Sequence, residues 1–310
     1  MLSIIIVSFQ GRSLLEQCLR SISTHLDGLL EYDVWVVDNA STDGTVPWLG
    51  AHAAENPKVT AIFNDRNLGF AAANNAALRR CRGEFILLLN NDALLVDASV
   101  MQGMDYLRKH PASFGAGGLL MNGDGTPGPS YGFFPSPGTL MKELLGRKFG
   151  ALRAVSPAMH EGDHPIDFPC GAYFLVRREL LGDIGLLDED FFLYFEETEW
   201  AARAWRHGRT IQYLPFCKAI HLGGGSSENR EPLPIIATFY ESWRIYLRKT
   251  SNPFGTAWVF LLLLLHFSGQ AAWSAARGRG HSAQRHLKHA RGTLWGWLGK
   301  PSRRLSERRP

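Results

Sequence analysis

At 310 residues with 45% apolar and 20% charged side chains, the chain has material for one large α/β domain plus an appendage, which argues against general disorder. Its four cysteines, Cys18, Cys81, Cys170 and Cys217, are scattered without a CxxC pair, which argues against a disulfide frame or zinc site and predicts buried thiols in a reducing compartment. The net charge of +4 hides a division: residues 1–239 carry 20 Lys/Arg and 27 Asp/Glu, whereas residues 240–310 carry 13 and 2. An acidic body with a basic tail predicts an anionic partner for the tail. No aromatic-interleaved basic face accompanies it, so nucleic acid is not expected.

The opening MLSIIIVSFQ lacks a basic region and long apolar stretch, so it reads as a strand rather than a signal peptide and predicts a cytoplasmic location. Ser3–Ser8 is a short β-branched run, and Leu14, Leu15, Cys18, Leu19, Ile22 and Leu26 follow at helical spacing. Val34–Val37 and Val59–Phe63 read as the next strands, and an Ala-rich helix is expected from about Phe70 to Arg82, stopping at Gly83. Phe85–Leu89, apolar on both faces, is a fourth strand. Strands buried on both sides and separated by helices predict an α/β fold, doubly wound around a mostly parallel sheet. From Met121 to about Pro165 the chain turns Gly/Pro-rich around one short helix, a length that marks a functional or mobile loop. Regularity returns with Phe168–Val176, a helix over Glu179–Ile184, and the acidic-aromatic stretch Asp188–Trp200 leading into a helix that ends near Gly208.

In a doubly wound sheet, ligands sit beyond the carboxyl ends of the strands. Four groups of chemistry-bearing residues lie there. After the second strand comes Asp38-Asn39-Ala40-Ser41-Thr42-Asp43, where a carboxylate can accept hydrogen bonds from a base edge or ribose; the plainer alternative is that Asp38 or Asp43 caps the next helix, more so for Asp43. The fourth strand runs into Asn90-Asn91-Asp92, oxygen ligands of a kind that suit Mg²⁺ or Mn²⁺ held jointly with phosphates. Glu196, Glu197 and Glu199 stand among aromatic residues, a setting that raises a carboxylate's pKa toward that of a useful base; the plainer alternative is a helix start favoured by the dipole. Last comes His221, followed by Leu222 and the glycines 223–225, whose backbone can approach a phosphate or metal closely.

The ordered set SIIIVSF, VVDNASTDGT, NDRNLGFAAANNAAL, ILLLNNDALL, CGAYFLVRREL, GLLDEDFFLYFEETEWAARAWRHG and HLGGGSS spans roughly Leu2 to Ser227. In that order and spacing the chain resembles the family 2 glycosyltransferases of the GT-A fold, above all their rhamnosyltransferase-like branch. The resemblance implies a metal-dependent inverting enzyme using a dTDP- or UDP-sugar. Asp38 would read the base, with Ser8, the Asn67–Gly69 turn, Asn90 and Asn91 in the nucleotide-sugar site. Asp92 would ligate the metal, His221 would complete the metal or diphosphate site, and Glu197 would be the base, with Glu196 and Glu199 as the other choices. Asn90 stands in place of the first acid of D-x-D, Glu196-Glu197 in place of Glu-Asp, and Gln10 where the family often has Asn.

Residues 1–239 are read as the catalytic domain, with a nucleotide half to about 120 and an acceptor half after it; residues 240–310 are read as a helical, basic tail. Thr250–Ala276 holds no charged residue and is wholly apolar over Ala257–Leu265, with Arg244, Arg248 and Lys249 before it and Arg277, Arg279 and Arg285 after. A run this short, flanked by cations on both sides, predicts a helix lying in or dipping into the cytoplasmic leaflet of the plasma membrane, with a full crossing or burial in protein as the alternatives. That placement suits a polyprenyl-diphosphate-linked glycan acceptor. Two other readings share parts of the pattern. Sugar-phosphate nucleotidyltransferases open with a Gly-rich basic loop, whereas Ser8–Arg12 has one glycine; a non-catalytic carbohydrate-binding scaffold would show no donor turnover with or without Mn²⁺.

Overall fold

The computed structural model describes residues 1–136, 138, 162–223 and 232–299. The short helix expected between Met121 and Pro165, the glycines and serines at 224–227 and the Arg-rich end at 300–310 lie outside the described residues.

The first half is built as its hydrophobic pattern dictates: β1 (Leu2–Ser8), α1 (Arg12–Leu26), β2 (Tyr32–Asp38), α2 (Thr45–Glu55), β3 (Val59–Phe63), α3 (Phe70–Leu78) and β4 (Phe85–Leu89). Then come β5 (Ala93–Leu95), α4 (Val100–Lys109), β6 (Ser113–Met121), β7 (Tyr131–Gly132), β8 (His164–Ile166), β9 (Phe168–Pro169) and β10 (Tyr173–Arg177). The remainder is α5 (Glu196–Arg206), β11 (Thr210–His221), α6 (Leu233–Thr250), α7 (Pro253–Ala276) and α8 (Gly280–Leu298).

The main sheet runs β3-β2-β1-β4-β10-β6-β11-β5, with β8 beside β11. β3, β2, β1 and β4 are parallel to one another, and β11 is parallel to β6. β10 is inserted antiparallel to both β4 and β6. Two reversals therefore bring β11 back to the direction of β1, β2 and β4. The carboxyl ends of all four strands lie on one edge, together with the start of β10.

Both sheet faces are covered, as the apolar runs require. Ile4, Ile6, Leu87 and Leu89 pack with α1 and α4 residues on one face. Ile5, Ile86 and Leu88 pack with α3 residues and Trp200 of α5 on the other. α3 is shorter than expected: after Leu78 the chain closes a tight turn, with the Arg80 N–H donating to Ala77 O at 2.8 Å. Gly83 then passes so close to β1 that a Cβ there would stand 2.4 Å from Ser3 N. Two further segments are broken where one element was expected. Phe168–Val176 splits into β9 and β10 around Cys170–Ala172, and Glu179–Ile184 is a 3₁₀ turn (Arg178–Leu180) followed by one helical turn (Leu181–Ile184).

The C-terminal helices form a third core. Tyr240, Trp243, Tyr246 and Leu247 of α6 pack with Val259, Leu263 and Phe267 of α7, and with Phe191 and Phe195 from the loop before α5. α8 approaches α6 closely through Gly292 and Gly296, where added Cβ atoms would lie 2.6 Å from Ile236 Cγ2 and 2.3 Å from Ala237 O. Residues 239 and 240, where the sequence reading divides catalytic domain from tail, are consecutive residues inside α6.

Candidate active site

Ser8 and Asp38 end neighbouring parallel strands in matched register. Both are fully buried, yet Ser8 Oγ and Asp38 Oδ2 have no hydrogen-bond partner. The other carboxylate oxygen, Asp38 Oδ1, accepts from the Ser41 N–H at 2.8 Å. A buried acceptor left open costs roughly 1–3 kcal/mol unless water or a ligand fills it, which makes these two strand ends candidates for a binding position.

Asn39 organises the turn beside them. Its Nδ2 donates to Gly69 O at 3.1 Å, and its Oδ1 accepts from Asn64 Nδ2 at 2.8 Å. Sequence reasoning passed over Asn39 as part of a turn; burial at 2% exposure distinguishes it. Asn67 closes the same turn locally, accepting from the Gly69 N–H at 2.9 Å. Gly69 has φ +86°, and a Cβ there would meet Phe192 O at 2.3 Å. Only glycine fits where this turn touches the loop that leads to the paired glutamates.

Asp43 is a cap rather than a base reader. Its Oδ2 accepts from the Gly11 and Arg12 N–H groups at 2.6 and 3.0 Å, and its Oδ1 from the Thr45 N–H at 3.2 Å. Burial opposes its ionisation, but the bonds from Thr45, Arg12 and Gly11 prevail and hold the carboxyl at about 2. Gln10 is tied to the same loop: its N–H donates to Ser41 Oγ at 2.8 Å, and its carbonyl accepts from Asn91 Nδ2 at 3.4 Å.

Beyond β4, the Asn90 N–H donates to Ala172 O at 3.2 Å, joining the strand end to the break before β10. Asp92, 8% exposed, has Oδ1 3.2 Å from His221 Nε2. The contact follows from topology, since β5 and β11 pair antiparallel with Ala93 opposite His221. Residues 129 positions apart in sequence thus meet as one carboxylate–imidazole pair. Among the described residues no group of three or more His, Cys, Asp or Glu could hold a metal by itself.

Glu196 and Glu197 open α5. A Cβ on Gly171 would lie 3.7 Å from Glu197 Cδ, so this carboxyl stands against the Cys170–Ala172 break, next to Asn90. Burial pushes the Cys170 thiol up to about 12, with the charges of Glu197 and Asp92 adding to it; both carboxylates therefore act on one point. Burial raises Glu197 to about 7, poised for proton transfer near neutral pH. Glu196 is 4% exposed, its Oε2 lacks a partner, and burial followed by repulsion from Glu197 raises it well above the carboxylate range. Glu199 does not belong with them. Its carboxylate pairs with Arg203 at 2.8 Å and Arg206 at 3.4 Å on the buried side of α5, which removes it as a base.

Backbone strain collects at this edge. Among the described residues, Gln10, Ala40, Tyr194 and Phe195 are the non-glycine residues with positive φ, at 60–71°. Two follow the ends of β1 and β2, and two immediately precede Glu196. Such positions cost ~1–3 kcal/mol each and persist where the surroundings over-determine them, characteristically at functional sites.

Residues 3–185 match the family described as Glycosyl transferase family 2. The chain is a family 2 glycosyltransferase. This transferase is 25% identical over 265 residues to an N-acetylglucosaminyl-diphospho-decaprenol L-rhamnosyltransferase of Mycobacterium tuberculosis, an alignment covering 79% of this chain and 83% of the relative. It is 26% identical over 257 residues to a low-salt glycan biosynthesis hexosyltransferase of Haloferax volcanii, covering 79% and 72%. Its fold is similar to that of a Pyrobaculum calidifontis mannosyltransferase solved in complex with GDP-Man and Mn2+ (TM-score 0.59, 17% identity, 95% of this chain and 87% of that one). The glycosyltransferase therefore has the GT-A architecture expected from its sequence, and its relatives work in glycan synthesis.

Proposed function

We propose that this glycosyltransferase moves a sugar, rhamnose from dTDP-rhamnose, onto a hydroxyl of a polyprenyl-diphosphate-linked N-acetylglucosamine at the inner face of the plasma membrane. The observation that carries the reading is convergence on one sheet edge: open acceptors at Ser8 and Asp38, the Asp92–His221 pair, and Glu197 against Gly171. The sugar and the lipid-linked acceptor follow the rhamnosyltransferase relative.

In this reading Asp38 Oδ2 accepts from an N–H of the thymine edge, and Phe9, 45% exposed beside Ser8, offers a ring for the base to stack on. Asp92 and His221, with Asn90 and Asn91 nearby, fit a divalent ion held by few protein groups and chiefly by the diphosphate. Bound there, Mg²⁺ or Mn²⁺ would neutralise charge on the departing dTDP. Glu197 takes the proton of the acceptor hydroxyl. The acceptor oxygen then bonds to the anomeric carbon as the bond from that carbon to the diphosphate oxygen breaks, and dTDP leaves from the opposite face, inverting the centre. Screening dTDP-rhamnose and UDP-sugars against a polyprenyl-diphosphate-N-acetylglucosamine with Mn²⁺ tests this. Rhamnosylated lipid and released dTDP are expected; turnover of UDP-sugars alone rejects the donor, and no turnover at all rejects the enzyme reading.

The membrane side of the proposal rests on α7, 24 residues with a mean hydropathy of 1.5 in its most apolar window, only 22% of which is buried. Phe254, Trp258, Leu261 and Leu265 recur at helical spacing and are 88, 49, 44 and 60% exposed. At the helix end, the Arg277 guanidinium lies 4.2 Å from the Trp273 ring centroid. We place this face in the leaflet, with Arg277, Arg279 and Arg285 at anionic headgroups, where each cation contributes about 1 kcal/mol. Vesicles rich in phosphatidylglycerol are expected to sediment the wild type, and the Trp258→Glu/Leu265→Glu variant is expected to stay in solution. Equal sedimentation of the two proteins rejects this face.

A further inference from the structure

The loop from Leu187 to Phe195 delivers Glu196 and Glu197, and it is gripped from two sides. On the α3 side, Asn75 bonds Leu187 through both its amide atoms (2.8 and 3.1 Å), and the Phe70 N–H donates to Phe192 O at 2.7 Å. On the α6 side, Ser242 Oγ donates to Leu193 O at 2.8 Å, and Phe195 stacks on Trp243 with ring centroids 6.1 Å apart. Lys249 Nζ reaches Asp188 Oδ2 at 2.6 Å and Asp190 Oδ2 at 2.8 Å.

Apolar burial accounts for the aromatic contacts. It does not account for a lysine set in the last turn of α6 between two loop carboxylates, one 23% and the other 67% exposed. An ion pair with a partner as open to water as Asp190 adds little to global stability. What it can do is fix a position, and four residues after Asp190 the chain enters the strained pair Tyr194–Phe195.

We propose that Lys249 is a positioning residue for Glu197: by clamping Asp188 and Asp190 it fixes the strained turn, so the C-terminal helices set where the carboxyl meets the acceptor. The inference rests on Glu197 being the base. It gives α6 a part in acceptor activation, separate from any contact with lipid. A displacement of ~1 Å at a reacting group costs about 10²-fold in rate, so the clamp matters to turnover far more than to folding.

The test uses the full chain with dTDP-rhamnose, Mn²⁺ and a polyprenyl-diphosphate-N-acetylglucosamine, reading kcat, donor KM, dTDP affinity and thermal midpoint together. Lys249→Met is expected to lower kcat by on the order of 10–100-fold, with the other three readings unchanged. Lys249→Arg keeps charge and reach and restores most of the rate. Should Lys249→Met fold poorly, Asp190→Asn tests the clamp from its exposed side, with a smaller fall expected in kcat alone. Unchanged kcat in these variants overturns the proposal, as does a loss of rate that only tracks a lowered thermal midpoint and is not rescued by Arg. Wild-type kcat in Glu197→Gln would instead strike the base assignment, whereas an inactive Glu197→Gln beside a fully active Lys249→Met would strike the clamp alone.

Discussion

Replacing Glu197 with Gln is expected to lower kcat for transfer by on the order of 10²–10⁴-fold, the usual contribution of a general base, while dTDP affinity and thermal midpoint stay at wild-type values. Gln fills the same space but cannot accept the acceptor's proton. The pH profile makes the prediction sharper. Because burial raises Glu197 to about 7, the wild-type rate should climb as pH rises through that value and level off above it, as the carboxyl loses its proton. Below it the base is occupied by its own proton and transfer stalls. The residual rate of the Gln variant should lack this acidic limb. Glu196 is the internal control: burial and then repulsion from Glu197 raise its carboxyl too, and Glu196→Gln, which leaves the Glu197 carboxyl in place, should retain the limb. A Glu197→Gln enzyme with wild-type rate and an unaltered limb would transfer the role elsewhere.

The second large effect is expected at Asp92. Its carboxylate lies 3.2 Å from His221 and is the sole acid in the Asn90-Asn91-Asp92 run, so Asp92→Ala removes the one anionic oxygen donor that this strand end offers. Charge stabilisation of a departing group is worth on the order of 10²–10³-fold per interaction, and a fall of at least that size in kcat is expected. Chelating the divalent ion from the wild type should reproduce the loss, and adding Mn²⁺ should restore the wild type but not Asp92→Ala. Thermal melting of the variant should remain cooperative, since Asp92 sits at a strand end outside the apolar cores. Full activity of Asp92→Ala in the presence of chelator would remove the metal from the mechanism.

How much of this was legible in the sequence follows from the physics of each part. β1 and β4 were readable because strands buried on both faces leave continuous apolar runs, and the edge strand β3, Val59–Phe63, has the bounds its pattern gives although Thr60 and Phe63 are exposed. The candidate positions were legible because a parallel sheet gathers its strand ends on one edge, so Ser8, Asp38 and Asn90–Asp92 stand out by ending or following strands. In the sequence Asp43 reads equally as base reader and cap, and the two look alike until its N–H partners on Gly11, Arg12 and Thr45 are visible. Glu199 was indistinguishable from Glu197 by composition; only the 3.6-residue turn of α5 decides which acid meets Arg203 and which faces Gly171. The antiparallel entry of β10 carries no local signal, because a buried strand reads alike in both directions. The hold of α6 on the base loop was also hidden, since it joins Ser242 to Leu193 and Lys249 to Asp188 across about 50–60 residues, and periodicity reports only neighbours on one element. The basic count of the tail pointed outward to a membrane, while one of its cations, Lys249, pairs with Asp188 and Asp190 of the loop before α5.

One measurement bears most directly on the convergence of these groups around a metal and a diphosphate: calorimetry of dTDP binding to the wild type and to Asp92→Ala, each with and without Mn²⁺. Mn²⁺ is predicted to tighten dTDP binding strongly in the wild type and to have no effect on the variant. Equal affinities in all four titrations would contradict the account.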